Sequence, residues 1–244
     1  MLLFKRKDKK LTKQNSRSDS TDRNLATKPI LSVPLKIAVA NSKCYDGIPV
    51  PALVRACIDY VEENGLDVEG IYRVSAFISR LDEMERLANS GGNIIIADPH
   101  DAAGLLKRFL RQLPDHIFQF PSYVPSRFES VAETCKCPFE NPCKCQVVSK
   151  LKEMLEEAPK ENYYLLAYVF IHAHHVIERQ KDNKMTLGAL GVLLQAMLSV
   201  SKNIIRIFIL NAIPSSKTEP SDSIVYLFDK VPFKRLVFIL FSKN

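Results

Sequence analysis

One arginine in the sequence combines a suitable residue type with a suitable position for chemistry. Arg73 lies in the segment EGIYRVS, residues 69–75, between two stretches whose apolar residues have helical spacing. A guanidinium group is always charged and planar and carries several donors, so it can stabilise negative charge that develops on phosphoryl oxygens. That role needs an exposed but rigid loop, and Gly70 allows a tight turn there. On spacing alone, a surface charge or a salt-bridge partner is the more common role for such an arginine.

Two other groups of residues give weaker signals. Lys107 and Arg111 are one helical turn apart beside an apolar stripe, which by itself is typical of a solvated helix face. His172, His174 and His175 occur in a hydrophobic helical segment without a cysteine or carboxylate at ligand spacing. We expect these histidines to belong to the core or to the surface.

Four cysteines are concentrated in the segment CKCPFENPCKC, namely Cys135, Cys137, Cys143 and Cys145. Two CxC pairs could bind zinc, although structural zinc sites more often use CxxC pairs separated by a longer loop. Disulfides are a second interpretation, disfavoured in a reducing cytoplasm. The third is an exposed loop insertion without a ligand, and on balance we expect no metal.

The sequence excludes several enzyme and binding classes. It has no glycine-rich phosphate loop ending in GK[ST] and no convincing nucleophile–base pair, so we expect no hydrolase chemistry and no cofactor of its own. The net charge of +7 is concentrated in residues 1–14, where six cations face only Asp8. This segment could contact anionic membranes weakly or be a solvated tail. Aromatic residues do not interleave with the later charges, so we expect no nucleic-acid binding.

Composition indicates a soluble, helical protein. Hydrophobic residues make up 46% and charged residues 25% of the chain, and only 8 residues are glycine. No apolar run reaches the roughly 18 residues needed to cross a bilayer, and the apolar N-terminus is too short for a signal peptide. We therefore expect a cytoplasmic protein, with peripheral membrane association left open.

Helical periodicity predicts an all-α fold with a single compact domain. Helices are expected over residues 50–64, from Ser75 or Ser79 to Gly91, and over 98–113, 127–134, 146–157, 160–179, 186–199 and 202–211. The second of these has a predicted buried stripe of Phe77, Ile78, Leu81, Met84 and Leu87. Residues 1–33 are predicted to be a disordered basic tail, 34–213 the helical domain, and 214–244 a C-terminal extension of uncertain structure that includes the apolar run LVFILF.

Three segments, in order, resemble motifs of the Rho GTPase-activating (RhoGAP) domain family. Residues 69–76 are similar to its GIFRVSG-like loop, residues 105–114 to its LLK…LR.LP helix, and 183–185 to an NKM-like segment that opens a later helix. The resemblance covers roughly residues 46–212. Residues 47–75 look most similar to the Ral-binding branch of Rac- and Cdc42-directed activators.

The resemblance implies a function performed on a partner. Arg73 would enter the active site of a GTP-bound Rho-family GTPase, Rac- or Cdc42-like, as a catalytic finger, while GTP and Mg²⁺ belong to that partner. Lys107 would approach the partner's switch region, and Arg111 would brace the finger loop and the interface. Asn183 is assigned to GTPase binding on the same ground. The protein itself would be an activator and not an enzyme.

The later half of the chain departs from the family pattern. Ala189 and Met197 stand where relatives carry asparagines, and Met197 cannot donate or accept as an amide does. Two functions therefore stay open: a GTPase activator of unknown strength, and a GTPase-binding module or scaffold with weak or no activating activity. A third, a membrane or phospholipid adaptor, depends only on the basic tail and the last ten residues. No long heptad-bearing helix follows as in Ral-binding relatives, so Ral binding is not carried over.

Overall fold

The computed structural model describes residues 28–215 and 224–233. Across these two ranges the chain forms helices and no strands, which confirms the all-α prediction. No single helix described there is long and apolar enough to cross a membrane; two consecutive ones meet that test only as a pair bent by 117°. The helices are α1 Leu35–Asn41, α2 Ala52–Asn64, α3 Ile78–Ser90, α4 Pro99–Arg111, α5 Pro125–Glu133, α6 Val147–Glu156, α7 Lys160–Glu178, α8 Gln180–Asn183, α9 Leu187–Leu198 and α10 Lys202–Leu210.

The long helix α7 forms the centre of the core. Its residues from Leu165 to Ile177 are almost all buried, because α1, α2, α9 and α10 pack around it. Aromatic contacts fill the interior, with the rings of Phe170 and Phe208 4.9 Å apart between α7 and α10. Apolar residues on every side of a helix indicate this complete burial, as the sequence predicted for this segment.

Helices α2, α3 and α4 form the frame that positions Arg73. The segment joining α2 to α3 carries this arginine, and both helices pack on α4. Arg108 of α4 forms ion pairs with Asp82 at 2.7 Å and with Glu85 at 2.9 Å on α3. The two ends of the Arg73 segment are therefore held by a shared neighbour.

The start of α4 follows its local sequence. The Asp98 side chain accepts a hydrogen bond of 2.7 Å from the backbone N–H of His100, and Pro99 occupies the first turn. The end of α3 also agrees with prediction, since Gly91 adopts φ of 73° as its C-cap.

The predicted apolar stripe of α3 is partly wrong. Leu81, Met84 and Ala88 are buried, but Phe77 and Ile78 are 75% and 72% exposed. The helix begins at Ile78 after Phe77, and no serine side chain caps it. Periodicity alone misassigned these two residues, because it does not show which apolar side chains a neighbouring element covers.

Residues outside the predicted 34–213 domain pack on it at both ends. Leu31 is 1% exposed, and its N–H and that of Ile30 donate to Asn89 Oδ1 at 2.9 and 2.8 Å, so residues 28–33 pack on the domain. Within the expected extension, Leu227 and Phe228 are fully buried, because this segment packs on the core. The rest of the predicted tail, including residues 1–14, and the apolar run at 236–241 lie outside the described residues.

Candidate functional site

The loop between α2 and α3 presents Arg73 to solvent on a closely hydrogen-bonded backbone. The N–H groups of Arg73 and Val74 both donate to the carbonyl oxygen of Gly70 at 2.8 Å. Gly70 has φ of 73°, and a Cβ there would lie 2.9 Å from a methyl group of Val74. Among the described residues the Arg73 guanidinium has no hydrogen-bond or ion-pair partner. The turn is therefore fixed while the guanidinium stays available.

Tyr72 anchors this loop in the core. It has φ of 67°, a left-handed conformation that costs a non-glycine residue of the order of 1–3 kcal/mol unless its surroundings hold it. The side chain is only 4% exposed, and its hydroxyl lies 2.6 Å from Nε2 of His172. Burial raises the pKa of Tyr72, so the hydroxyl remains protonated. This strained residue lies directly before Arg73.

The anchor continues to a buried carboxylate on α2. Glu62 accepts hydrogen bonds from Nδ1 of His172 at 2.5 Å and from Nδ1 of His175 at 3.0 Å. Burial acts to raise the pKa of Glu62, but hydrogen bonds and charge interactions with the two histidines outweigh it and hold the pKa at about 2. His172 is buried and His175 half-buried, as expected for core or surface residues. No local sequence pattern indicates that these histidines hold the loop.

Asn183 supports the same loop from α8. Its carbonyl oxygen accepts from Gly70 N at 2.8 Å, and its side-chain amide donates to the carbonyl oxygens of Leu66 at 2.7 Å and Val176 at 2.9 Å. The side-chain oxygen accepts from Met185 N. Asn183 has no exposed surface, so it cannot contact a GTPase in this conformation. The predicted binding role is corrected to positioning, because the amide is fully used inside the domain.

Lys107 reaches the loop from α4. Its ammonium group donates to the carbonyl oxygen of Tyr72 at 2.6 Å, one residue before Arg73. Burial lowers the pKa of Lys107, and the neighbouring charge of Arg111 adds to this effect. Lys107 is half-buried and Arg111 exposed. The structure thus brings Lys107 into contact with the loop and places Arg111 one turn further along the same face.

An open groove of about 530 Å³ begins two residues after Arg73 and runs between α3 and α4. Ser75 and Ala76 line it from the loop, and Lys107 and Arg111 line it from α4. Exposed apolar side chains flank this region, with Val74 46% and Ile78 72% exposed. Adjacent cations and exposed apolar residues are typical of a surface that binds another protein, and the apolar part was missed in the sequence.

The two departures from the family pattern occur on α9. Met197 is 6% exposed and, with Tyr72 and Lys107, lines a small apolar void. Ala189 is half-buried, and its N–H donates to the Thr186 side chain that caps α9. Neither side chain supplies an amide.

The four clustered cysteines also come together. Cys135, Cys137, Cys143 and Cys145 lie in the connection between α5 and α6, and all their sulfur atoms are within 4.8 Å of one another. They pack against α10 and not against the Arg73 loop. The cluster could hold a metal ion.

The comparison with known families decides the relationship of this chain. A family model for the RhoGAP domain matches residues 51–203, which is more than half of the sequence. The chain belongs to the RhoGAP family. The matched range of this RhoGAP domain includes the Arg73 loop, the α4 cations and α9.

Curated relatives carry names that agree with this family. The domain is 31% identical over 183 residues to RalA-binding protein 1-A of Xenopus laevis, covering 74% of this chain and 27% of that protein. It is 33% identical over 176 residues to RalA-binding protein 1 of Drosophila melanogaster, covering 71% and 27%. Rho GTPase-activating protein 45 of Mus musculus is 29% identical over 159 residues, covering 59% and 14%. The chain thus spans about a quarter of the length of the first two relatives.

Solved structures share the fold. The crystal structure of human Rho GTPase activating protein 15 has a TM-score of 0.63 and 23% identity, covering 81% of this chain and 96% of that one. The BH domain of GRAF, the GTPase regulator associated with focal adhesion kinase, has a TM-score of 0.55 and 22% identity, covering 66% and 90%. The RhoGAP fold predicted from the motifs is confirmed.

Proposed function

We propose that this RhoGAP domain stimulates GTP hydrolysis by a Rho-family small GTPase and that Arg73 is the finger that enters the partner's active site. The observation that carries this proposal is an exposed guanidinium on a loop fixed by Gly70, Lys107 and Asn183. The partner is GTP-bound and Rac- or Cdc42-like by resemblance. GTP and Mg²⁺ remain on the partner, so the domain supplies a catalytic group without being an enzyme itself.

The chemistry follows from where charge develops. In phosphoryl transfer to water, negative charge spreads over the oxygens around the transferred group, and a guanidinium can donate to them directly. A finger supplied in trans is worth roughly 10³–10⁵ in rate. Its effect depends on placement, since small displacements lose much of it. The Gly70–Val74 turn and the buried Tyr72 anchor provide that placement.

The surface around Arg73 supplies the docking face. The exposed Arg111 offers a positive charge to the partner, and Phe77 and Ile78 offer apolar surface that is removed from water on association. Exposed aromatic and aliphatic anchors beside cations are common at binding hot spots.

A second function has one specific observation in its favour. Met197 and Ala189 lack the amides that relatives place on α9, and Met197 is buried against the loop's anchor. A domain that loses partner contacts could bind the GTPase and accelerate hydrolysis weakly or not at all. The retained Arg73 favours the activator.

Single-turnover GTP hydrolysis by Rac, Cdc42 and Rho proteins separates the two functions. We expect the wild-type domain to accelerate at least one of them and Arg73→Ala to lose roughly 10³-fold or more of that acceleration. Arg86→Ala is the matched control, since this arginine is also exposed but is paired with Glu83 on α3. Binding of the GTP-loaded partner without acceleration would establish the binding module. If the domain neither binds nor accelerates any of the three GTPases, both functions are refuted.

A further inference from the structure

The connection between α5 and α6 contains a cluster of thiols that the proposed function does not use. We propose that Cys135, Cys137, Cys143 and Cys145 bind one zinc ion as a structural tetrathiolate site. The four sulfur atoms belong to a segment of only 11 residues and all lie within 4.8 Å of one another. All four thiols are free.

The spacing of the sulfur atoms fits a single tetrahedral ion. A Zn–S bond of about 2.3 Å in tetrahedral geometry places sulfur atoms roughly 3.8 Å apart. The Cys135 sulfur lies 3.3 Å from that of Cys143 and 3.7 Å from that of Cys145. Both separations are slightly shorter than the required value, and none of the others exceeds 4.8 Å, so small rotations of the side chains would complete the site. A cluster of several irons would hold its thiolates further apart.

Arg206 of α10 is an independent indication that negative charge belongs here. Arg206 is 3% exposed, and its guanidinium donates to the Cys135 sulfur at 2.9 Å and to the Pro138 carbonyl oxygen at 3.1 Å. Within residues 28–215 and 224–233 it has no carboxylate partner. A buried cation needs an anionic neighbour, and zinc with four thiolates carries a net charge of −2.

Asn211 fixes the backbone of one ligand. Its side-chain oxygen accepts from Cys143 N at 2.9 Å, and its amide nitrogen donates to the Cys143 carbonyl oxygen at 3.0 Å. Asn211 is fully buried, and Cys143 is 1% exposed. Side chains that orient metal ligands in this way are a regular part of metal sites. The same amide also donates to the Val225 carbonyl oxygen, so the site would join the α5–α6 connection to the C-terminal segment.

Four protein ligands leave no open coordination position, so the ion would stabilise the fold and perform no catalysis. Only Cys143 of the four is fully buried, and the connection has no helix of its own to hold it. Zinc would supply the cross-link that a small loop cannot obtain from apolar burial.

Metal content and cobalt substitution of the full chain test the proposal. We expect elemental analysis of purified protein to give one zinc per chain and no stoichiometric iron or copper. Co²⁺ added to the metal-free protein should give the visible d–d bands and the near-ultraviolet charge-transfer band of a tetrahedral tetrathiolate site. Cys145→Ser should lose the charge-transfer intensity of one thiolate. Cys44→Ser is the matched control, because Cys44 donates to the Val50 carbonyl oxygen outside the cluster.

A second variant tests the proposal without changing any of the four cysteine ligands. Arg206→Met should weaken zinc binding roughly 10- to 100-fold while leaving the stoichiometry unchanged. The proposal is overturned if the wild type holds well under one equivalent of zinc and cobalt gives no tetrahedral spectrum. It is also overturned if iron or copper is the bound metal, or if the intact mass shows that the thiols have lost hydrogen to form disulfides.

Discussion

Lys107 provides the sharpest test of how the domain holds Arg73, the proposed finger. Replacing it by methionine keeps the apolar stem and removes the ammonium group that donates to the Tyr72 carbonyl oxygen at 2.6 Å. A hydrogen bond to a charged group contributes about 1.5–3 kcal/mol. If that energy holds the loop in its active geometry, Lys107→Met lowers the acceleration of GTP hydrolysis by roughly 10- to 150-fold, since about 1.4 kcal/mol corresponds to a factor of ten.

A double-mutant cycle shows whether this loss passes through Arg73. Single-turnover hydrolysis is measured at saturating concentrations of the wild type, Lys107→Met, Arg73→Ala and the double variant. If Lys107 acts only by positioning Arg73, Lys107→Met should reduce the acceleration of GTP hydrolysis very little in the Arg73→Ala background, where the arginine is already absent. Lys36→Met, at an exposed lysine on α1, is the control for loss of charge.

Binding of the GTP-loaded partner distinguishes this positioning role from direct contact. Positioning predicts that Lys107→Met changes the dissociation constant much less than the rate at saturation. The reasoning is refuted if the rate falls by the same factor with and without Arg73, or if the loss is confined to affinity. Either result would place the lysine on the partner, as the family resemblance implied.

Three further predictions address the site and its support. Ile78→Ser should weaken GTPase binding by up to about 3 kcal/mol and leave the stability of the domain unchanged. The control is Ile95→Ser, because Ile95 is 78% exposed but lies outside the groove, and it should change neither binding nor stability. Equal effects of the two variants on binding would argue against the docking face. Asn183→Ala should lower the free energy of unfolding in urea by roughly 2 kcal/mol or more, because buried backbone groups lose their partners; a change within about 0.5 kcal/mol would contradict this. The folded pKa of Glu62 is about 2, below its ordinary 4.5, so its contribution is complete above about pH 4.5 and is lost as pH falls towards 2. Urea unfolding at about pH 3 and about pH 6 should therefore differ by up to about 2 kcal/mol more for the wild type than for Glu62→Gln, and equal differences would remove Glu62 as the cause.

Local sequence determined most of the helices. Apolar periodicity and caps such as Asp98 and Gly91 placed the elements within a few residues, because these signals act within one or two turns. Phe77 and Ile78 were misassigned because periodicity registers apolar character and does not show which side chains a neighbouring element covers.

The candidate site was predictable where it consists of a motif and unpredictable where it depends on tertiary contacts. Arg73 and Lys107 come from contiguous segments that resemble a family. The link from Tyr72 through His172 to Glu62 joins residues 100 and 110 positions apart, which no local pattern records. Asn183 was misread for the same reason, since a motif marks a position as important without showing whether its side chain faces a partner or the interior.

The fixed turn beneath Arg73 also affects the entropy of association. Ordering a flexible backbone costs about 1–2 kcal/mol per residue. If the five residues from Gly70 to Val74 were flexible in the free domain, ordering them would therefore reduce the binding free energy by roughly 5–10 kcal/mol. Here the loop is already ordered in the free domain by hydrogen bonds to Gly70, Tyr72 and Asn183. Docking needs to immobilise only the arginine side chain, at about 0.5–1.5 kcal/mol. Under the proposed function, brief encounters with a GTPase can then be productive, because the backbone that carries Arg73 loses little conformational entropy on binding.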